Sequence, residues 1–144
     1  MKVADASVAL KWFKQEPGSD EARALLLAEP LIAPELIVAE VLNAAWKSVR
    51  AGHMTGRQAD LVAAELPLCF VRLEPLAPLA AAAASAARSL DHPVYDCLYL
   101  ALAEREGVQL VTADTRLLAK VRQTPWADRV APLRATGSPP ASTA

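Results

Sequence analysis

Apolar runs of only three to five residues, set between longer segments with the 3.6-residue period of helices, are the feature that most restricts this chain. The short runs are Lys2 to Ala4, Leu31-Ile32-Ala33, Cys69 to Leu73, Gln109 to Thr112 and Arg129 to Leu133. Short strands that alternate with helices predict an α/β fold, with a parallel central sheet covered on both faces. In such sheets ligands sit beyond the carboxyl ends of the strands, near the point where strand order reverses. Any chemistry is therefore to be sought at that rim.

The helical segments carry their own punctuation. One helix follows Asp5 and holds Val8, Leu10, Trp12 and Phe13; Pro17-Gly18 breaks it, and Ser19 or Asp20 is expected to cap a second through Ala28. Pro34 suits the first turn of a long helix that runs to about Ala51 and is closed by Gly52, after which Thr55 opens another. An alanine-rich helix follows Pro75 and ends near Asp91-His92-Pro93, the next spans Val94 to Glu106 before Gly107, and a last one follows Asp114 through Lys120. Trp12 and Trp46 fall at core spacing, which predicts packing for both. Residues 135–144 hold Ser, Pro, Thr and Ala without a period and are expected to be a disordered tail, leaving one domain over residues 1–134.

Composition removes several function classes. A chain of 144 residues has room for a single core. Its five glycines never form Gly-x-Gly, so neither a dinucleotide fingerprint nor a P-loop is available. Cys69 and Cys97 are too far apart for a zinc motif and read as small core residues. The apolar stretches are too short and alanine-rich for a membrane span, and the N-terminus lacks the apolar core of a secretory leader, so the protein is expected in the cytoplasm with no membrane partner. A net charge of −1 gives no overall signature for nucleic acid, so contacts of that kind must rest on local patches.

Four acids stand out. Asp5 and Asp114 each follow a strand candidate directly and should project at the same sheet edge, where they repel. Glu40 lies mid-helix with Leu36, Ile37, Asn43 and Ala44 at the neighbouring helical offsets, and Asp96 sits in a first turn with His92, Pro93, Tyr99 and Leu100 around it. Neither has a nearby lysine or arginine. A carboxylate on a largely apolar face needs a distant basic group, a proton or a metal ion. Helix capping explains Asp5 and Asp114 equally well, and the helix dipole explains Asp96, so the residues alone leave both readings open. Glu40 is the hardest of the four to assign to structure alone.

In order and spacing, Val3-Ala4-Asp5-Ala6-Ser7, Pro34-Glu35-Leu36 through Glu40-Val41-Leu42-Asn43, Tyr95-Asp96-Cys97-Leu98-Tyr99-Leu100-Ala101-Leu102-Ala103 and Leu110-Val111-Thr112-Ala113-Asp114 resemble a PIN domain of the VapC toxin branch. The likeness covers about residues 2 to 133. It implies a three-layer α/β/α fold and an endoribonuclease that uses Mg²⁺ or Mn²⁺ held by Asp5, Glu40, Asp96 and Asp114, supported by Thr112, Ser7 and Asn43. It also implies an RNA substrate, homodimerisation and inhibition by a cognate antitoxin protein. All-oxygen donors suit hard divalent ions, which activate water for in-line attack on phosphorus. Lys47, Arg50, Arg116 and Lys120 are the candidate phosphate contacts. Ser7 replaces the second acid of an aspartyl-phosphate enzyme, and His53 and His92 form no pair suited to attack by a 2′-hydroxyl. The remaining alternative is a catalytically inactive module of the same fold that only binds protein.

Overall fold

A computed structural model describes residues 1–134; the tail expected at 135–144 lies outside the described residues. Five parallel strands form the sheet in the order β3-β2-β1-β4-β5: β1 is Lys2–Ala4, β2 Leu31–Pro34, β3 Arg72–Glu74, β4 Leu110–Thr112 and β5 Val130–Pro132. Neighbouring residues of a strand face opposite sides, and every residue of β2 and β4 is buried, so helices cover both faces as in a three-layer α/β/α domain. The α-helices are α1 Ala6–Ala9, α2 Ser19–Ala28, α3 Leu36–Arg50, α4 Gly56–Glu65, α5 Ala80–Leu90, α6 Val94–Glu106 and α7 Thr115–Val121.

The apolar content of α6 explains its place. Residues 97–103 are all buried, because one side of the helix rests on β1, β2 and β4 while another takes α5. A helix clothed on two sides has no reason to show one polar face. Gly107, at φ 66°, ends it in the left-handed conformation.

The structure corrects four local expectations. Gly18, at φ 91°, takes the cap position of α2 instead of Ser19 or Asp20. The Ser19 hydroxyl turns backward, accepting from the Glu16 amide at 2.9 Å and donating to the Lys14 carbonyl at 2.8 Å. Pro34 closes β2 rather than opening α3. Cys69 ends a 3₁₀ turn, Leu66–Cys69, so the strand expected from Cys69 begins at Arg72. Trp46 is 52% exposed. The buried stripe of α3 runs through Ile37, Val41, Ala45 and Ser48, and one step past Ala45 swings a side chain about 100° off that stripe. Trp12 packs as expected, its Nε1 donating to the Ala22 carbonyl at 2.9 Å.

Thr55 opens α4 with a complete capping box: its hydroxyl accepts from the Gln58 amide at 3.1 Å, and the Gln58 carboxamide accepts from the Thr55 amide at 2.7 Å. Thr55→Ala is expected to cost about 1 kcal/mol, read as a lower midpoint in urea.

Candidate active site

Strand order reverses between β1 and β4, and the chain leaves both strands at their carboxyl ends through an acid. Asp5 caps α1 and Asp114 caps α7. To this rim the helices add Glu40 from α3 and Asp96 from the first turn of α6. All four acids line one cleft of about 330 Å³. Capping and convergence at a site are thus compatible for the two aspartates.

Asp5 is the fixed point. Its Oδ1 accepts from the Ser7 hydroxyl at 2.5 Å and the Val8 amide at 3.2 Å, while Thr112 Oγ1 donates to Oδ2. The same hydroxyls lock the other strand end: Ser7 Oγ accepts from the Ala113 amide at 2.9 Å, and Thr112 Oγ1 accepts from the Asp114 amide at 3.0 Å. One network therefore sets the spacing of Asp5 and Asp114. Burial pushes the Asp5 carboxyl up to about 6; the hydrogen bonds pull it down and the Asp96 charge adds to the rise.

Glu40 is half-buried and accepts from the Tyr99 hydroxyl at 2.5 Å. Burial raises its pKa, the Tyr99 bond opposes the rise, and Asp96 reinforces it. Tyr99 is 1% exposed, and burial, with the charges of Glu40, Asp5 and Asp96 behind it, holds its phenol far above the usual range. It stays protonated and so remains a donor. Asp96 has a partner of another kind, His92 Nε2 at 2.6 Å from Oδ2. Arg116 stands at the rim with Nε 3.7 Å from Asp114 Oδ1, its side chain 87% exposed. Among the described residues no three carboxylate, imidazole or thiol groups close round a point as a ready-made metal cage. The acids face a shared volume instead.

The description "PIN domain" belongs to a family model that matches residues 2–123. The chain belongs to the PIN domain family. This PIN domain is 34% identical over 121 residues to Ribonuclease VapC3 of Pyrobaculum aerophilum, an alignment covering 82% of this chain and 92% of that protein. It is 38% identical over 116 residues to Ribonuclease VapC3 of Mycobacterium tuberculosis, covering 80% and 83%. Among solved structures it superposes on PAE2754 from Pyrobaculum aerophilum with a TM-score of 0.68 at 26% identity, over 92% of this chain and 83% of that one. A toxin-antitoxin complex from Klebsiella pneumoniae shares the fold, with a TM-score of 0.70 at 17% identity over 94% and 99% of the two chains.

The other candidates of this PIN domain divide. Ser7 and Thr112 bond to Asp5, and Ser7 and Arg116 line the cleft. Lys120 lines an adjoining pocket. Asn43, Lys47 and Arg50 are exposed on α3 outside the cleft lining, with the Arg50 guanidinium 5.0 Å above the Trp46 ring. Sequence reasoning missed His92 and Tyr99 as partners of the acids. Their offsets from Asp96, four back and three on, were visible; that Tyr99 reaches an acid 59 residues away was not. Among the described residues no helix is long and apolar enough to cross a membrane.

Proposed function

We propose that this PIN domain is a divalent-metal-dependent endoribonuclease acting as the toxin of a toxin–antitoxin pair. The observation that carries the reading is the convergence of Asp5, Glu40, Asp96 and Asp114 on one cleft where, among the described residues, arginine is represented by the exposed Arg116. The names of the VapC3 relatives support the activity, and the antitoxin partner rests on the resemblance and on the Klebsiella pneumoniae complex. The donor set fits Mg²⁺ or Mn²⁺. Such ions take a few carboxylates directly and complete their shell with water and substrate phosphate, which agrees with acids that face a common volume without closing on one point.

In this reading Asp5, Glu40, Asp96 and Asp114 hold the ion, directly or through water. When bound, it supplies positive charge for the phosphate and activates water as the nucleophile. The chain does the rest. Ser7 and Thr112 fix Asp5 in one rotamer, leaving its carboxylate no freedom to follow the ion away. Tyr99 occupies Oε1 of Glu40 and leaves Oε2 for the ion. His92 does the same service for one oxygen of Asp96. Arg116 meets the phosphate from the solvent side. Second copies of the chain and the antitoxin are expected partners, without a surface assigned to either.

The test is cleavage of single-stranded RNA by the purified protein. Internal cleavage should require millimolar Mg²⁺ or Mn²⁺ and stop with EDTA; intact RNA under every metal condition overturns the reading in favour of a protein-binding module. Tyr99→Phe removes one hydrogen bond from a buried ring. It should lower kcat about tenfold and weaken metal binding, measured by calorimetry, by a similar factor.

A further inference from the structure

Beside the acidic cleft lies a second pocket of about 460 Å³, and the two share Pro93, Asp96 and Arg116 as a common wall. Its other sides come from His92 and Asp91, at the turn between α5 and α6, and from Ala119 and Lys120 on α7. We propose that this pocket is a nucleotide subsite that takes the base and sugar next to the scissile phosphate of a single-stranded RNA. The inference rests on the ribonuclease reading and adds where the substrate chain runs.

In this pocket Arg116 and Lys120 offset Asp91 and Asp96, so it is less acidic than the cleft and the better side for RNA to leave by. The cleft concentrates four acids and so repels a polyanion outside the phosphate that the metal binds. Arg116 stands on the boundary and Lys120 beyond it; among the described residues no acid pairs with Lys120. A strand leaving the cleft on this side therefore passes from the ion to two cations in succession.

Shape and chemistry point the same way. Pro93, Ala119 and the methylene stem of Lys120 give flat apolar walls suited to a base or ribose face. The His92 ring is held by its bond to Asp96, with its side chain 7% exposed. Asp91, in the left-handed conformation at φ 48° as α5 ends, is exposed and lines the pocket, where its carboxylate is available as an acceptor for base N–H groups. The volume falls in the range of small-ligand pockets. Five of the seven lining residues carry polar or charged heads, yet the accessible wall is mostly apolar, a combination that suits a ring with hydrogen-bonding edges.

The experiment reads binding and contact position separately from turnover. A fluorescein-labelled single-stranded RNA of about twelve nucleotides is titrated without metal by anisotropy, and the same RNA carrying 4-thiouridine is photo-crosslinked to the parent. We expect Ala119→Trp, which fills the pocket, and Lys120→Glu each to weaken binding at least tenfold. Charge reversal at exposed Arg57 on α4 should change it less than threefold. Crosslinks should map to peptides containing Asp91 to Pro93 or Ala119-Lys120. Lys120→Glu is a surface change and covers the case in which the tryptophan variant does not fold. Crosslinks confined elsewhere, or an equal loss in Arg57→Glu, overturn the subsite. If the parent cleaves RNA while both pocket variants bind it normally, the subsite alone fails; if the parent neither binds nor cleaves RNA, the ribonuclease reading fails with it. Loss of inhibition by an antitoxin with RNA binding intact would make this a protein-docking pocket and also overturn the proposal.

Discussion

Asp5→Asn should reduce metal-dependent RNA hydrolysis on the order of a thousandfold, roughly 4 kcal/mol of transition-state stabilisation, while the fold survives. The argument begins from what asparagine keeps. Asparagine is as good a helix cap as aspartate, so the α1 start persists, with its side-chain oxygen accepting from the Val8 amide. Ser7 or Thr112 loses one acceptor, but hydroxyl hydrogens rotate, and the two groups lie 3.4 Å apart. What asparagine cannot keep is the negative charge that reaches the cleft from its most buried point. Asp96→Asn tests the opposite corner, and there the bond to His92 also changes character, since an amide can offer that ring an N–H instead of an anion. Circular dichroism and the urea midpoint establish folding. Both variants folded and as active as the parent would show that the acids serve the structure only.

Much of the site was legible because it hangs on strand ends. Asp5 and Asp114 follow β1 and β4 directly, and a parallel sheet brings the carboxyl ends of adjacent strands to one rim. Glu40 was recognisable as a mid-helix acid without a local cation. The partners were harder to see. Thr112 and Ser7 are 105 residues apart yet share the hydrogen bonds of Asp5. Tyr99 satisfies Glu40 from another helix. Such pairings depend on helix packing, which periodicity narrows without fixing. Trp46 shows the limit: an aromatic residue next to a buried stripe has the right composition for the core and the wrong angle by one residue. Position within a turn decided it, and the exposed ring carries Arg50 instead of core contacts.

In metal-free buffer the parent should lose stability relative to Asp5→Asn as pH rises from 4 to 7, by about 3 kcal/mol, the equivalent of a pKa moved from 3.8 to about 6. The sign follows from proton counting. Between those two values the folded protein holds a proton on Asp5 that the unfolded chain has released, so the folded state gains stability with falling pH and loses it with rising pH. Below 3.8 both states are protonated and no penalty exists; above about 6 the whole penalty is present, because the folded chain must then keep a charge in a nearly dry position. Glu40, raised mainly by burial, is present in both proteins and drops out of the comparison. Glu106, lowered first by its hydrogen bond from Arg105, acts oppositely but titrates alike in both proteins and leaves the comparison. Chemical denaturation of the two proteins at pH 4, 5.5 and 7 with EDTA measures the difference. Adding Mg²⁺ or Mn²⁺ at pH 7 should then restore the parent, by about 2.7 kcal/mol at a hundred times the dissociation constant, and do much less for Asp5→Asn. A parent whose stability is independent of both pH and metal relative to the variant would mean that the burial of Asp5 costs nothing, and that no cation is needed to make its charge tolerable.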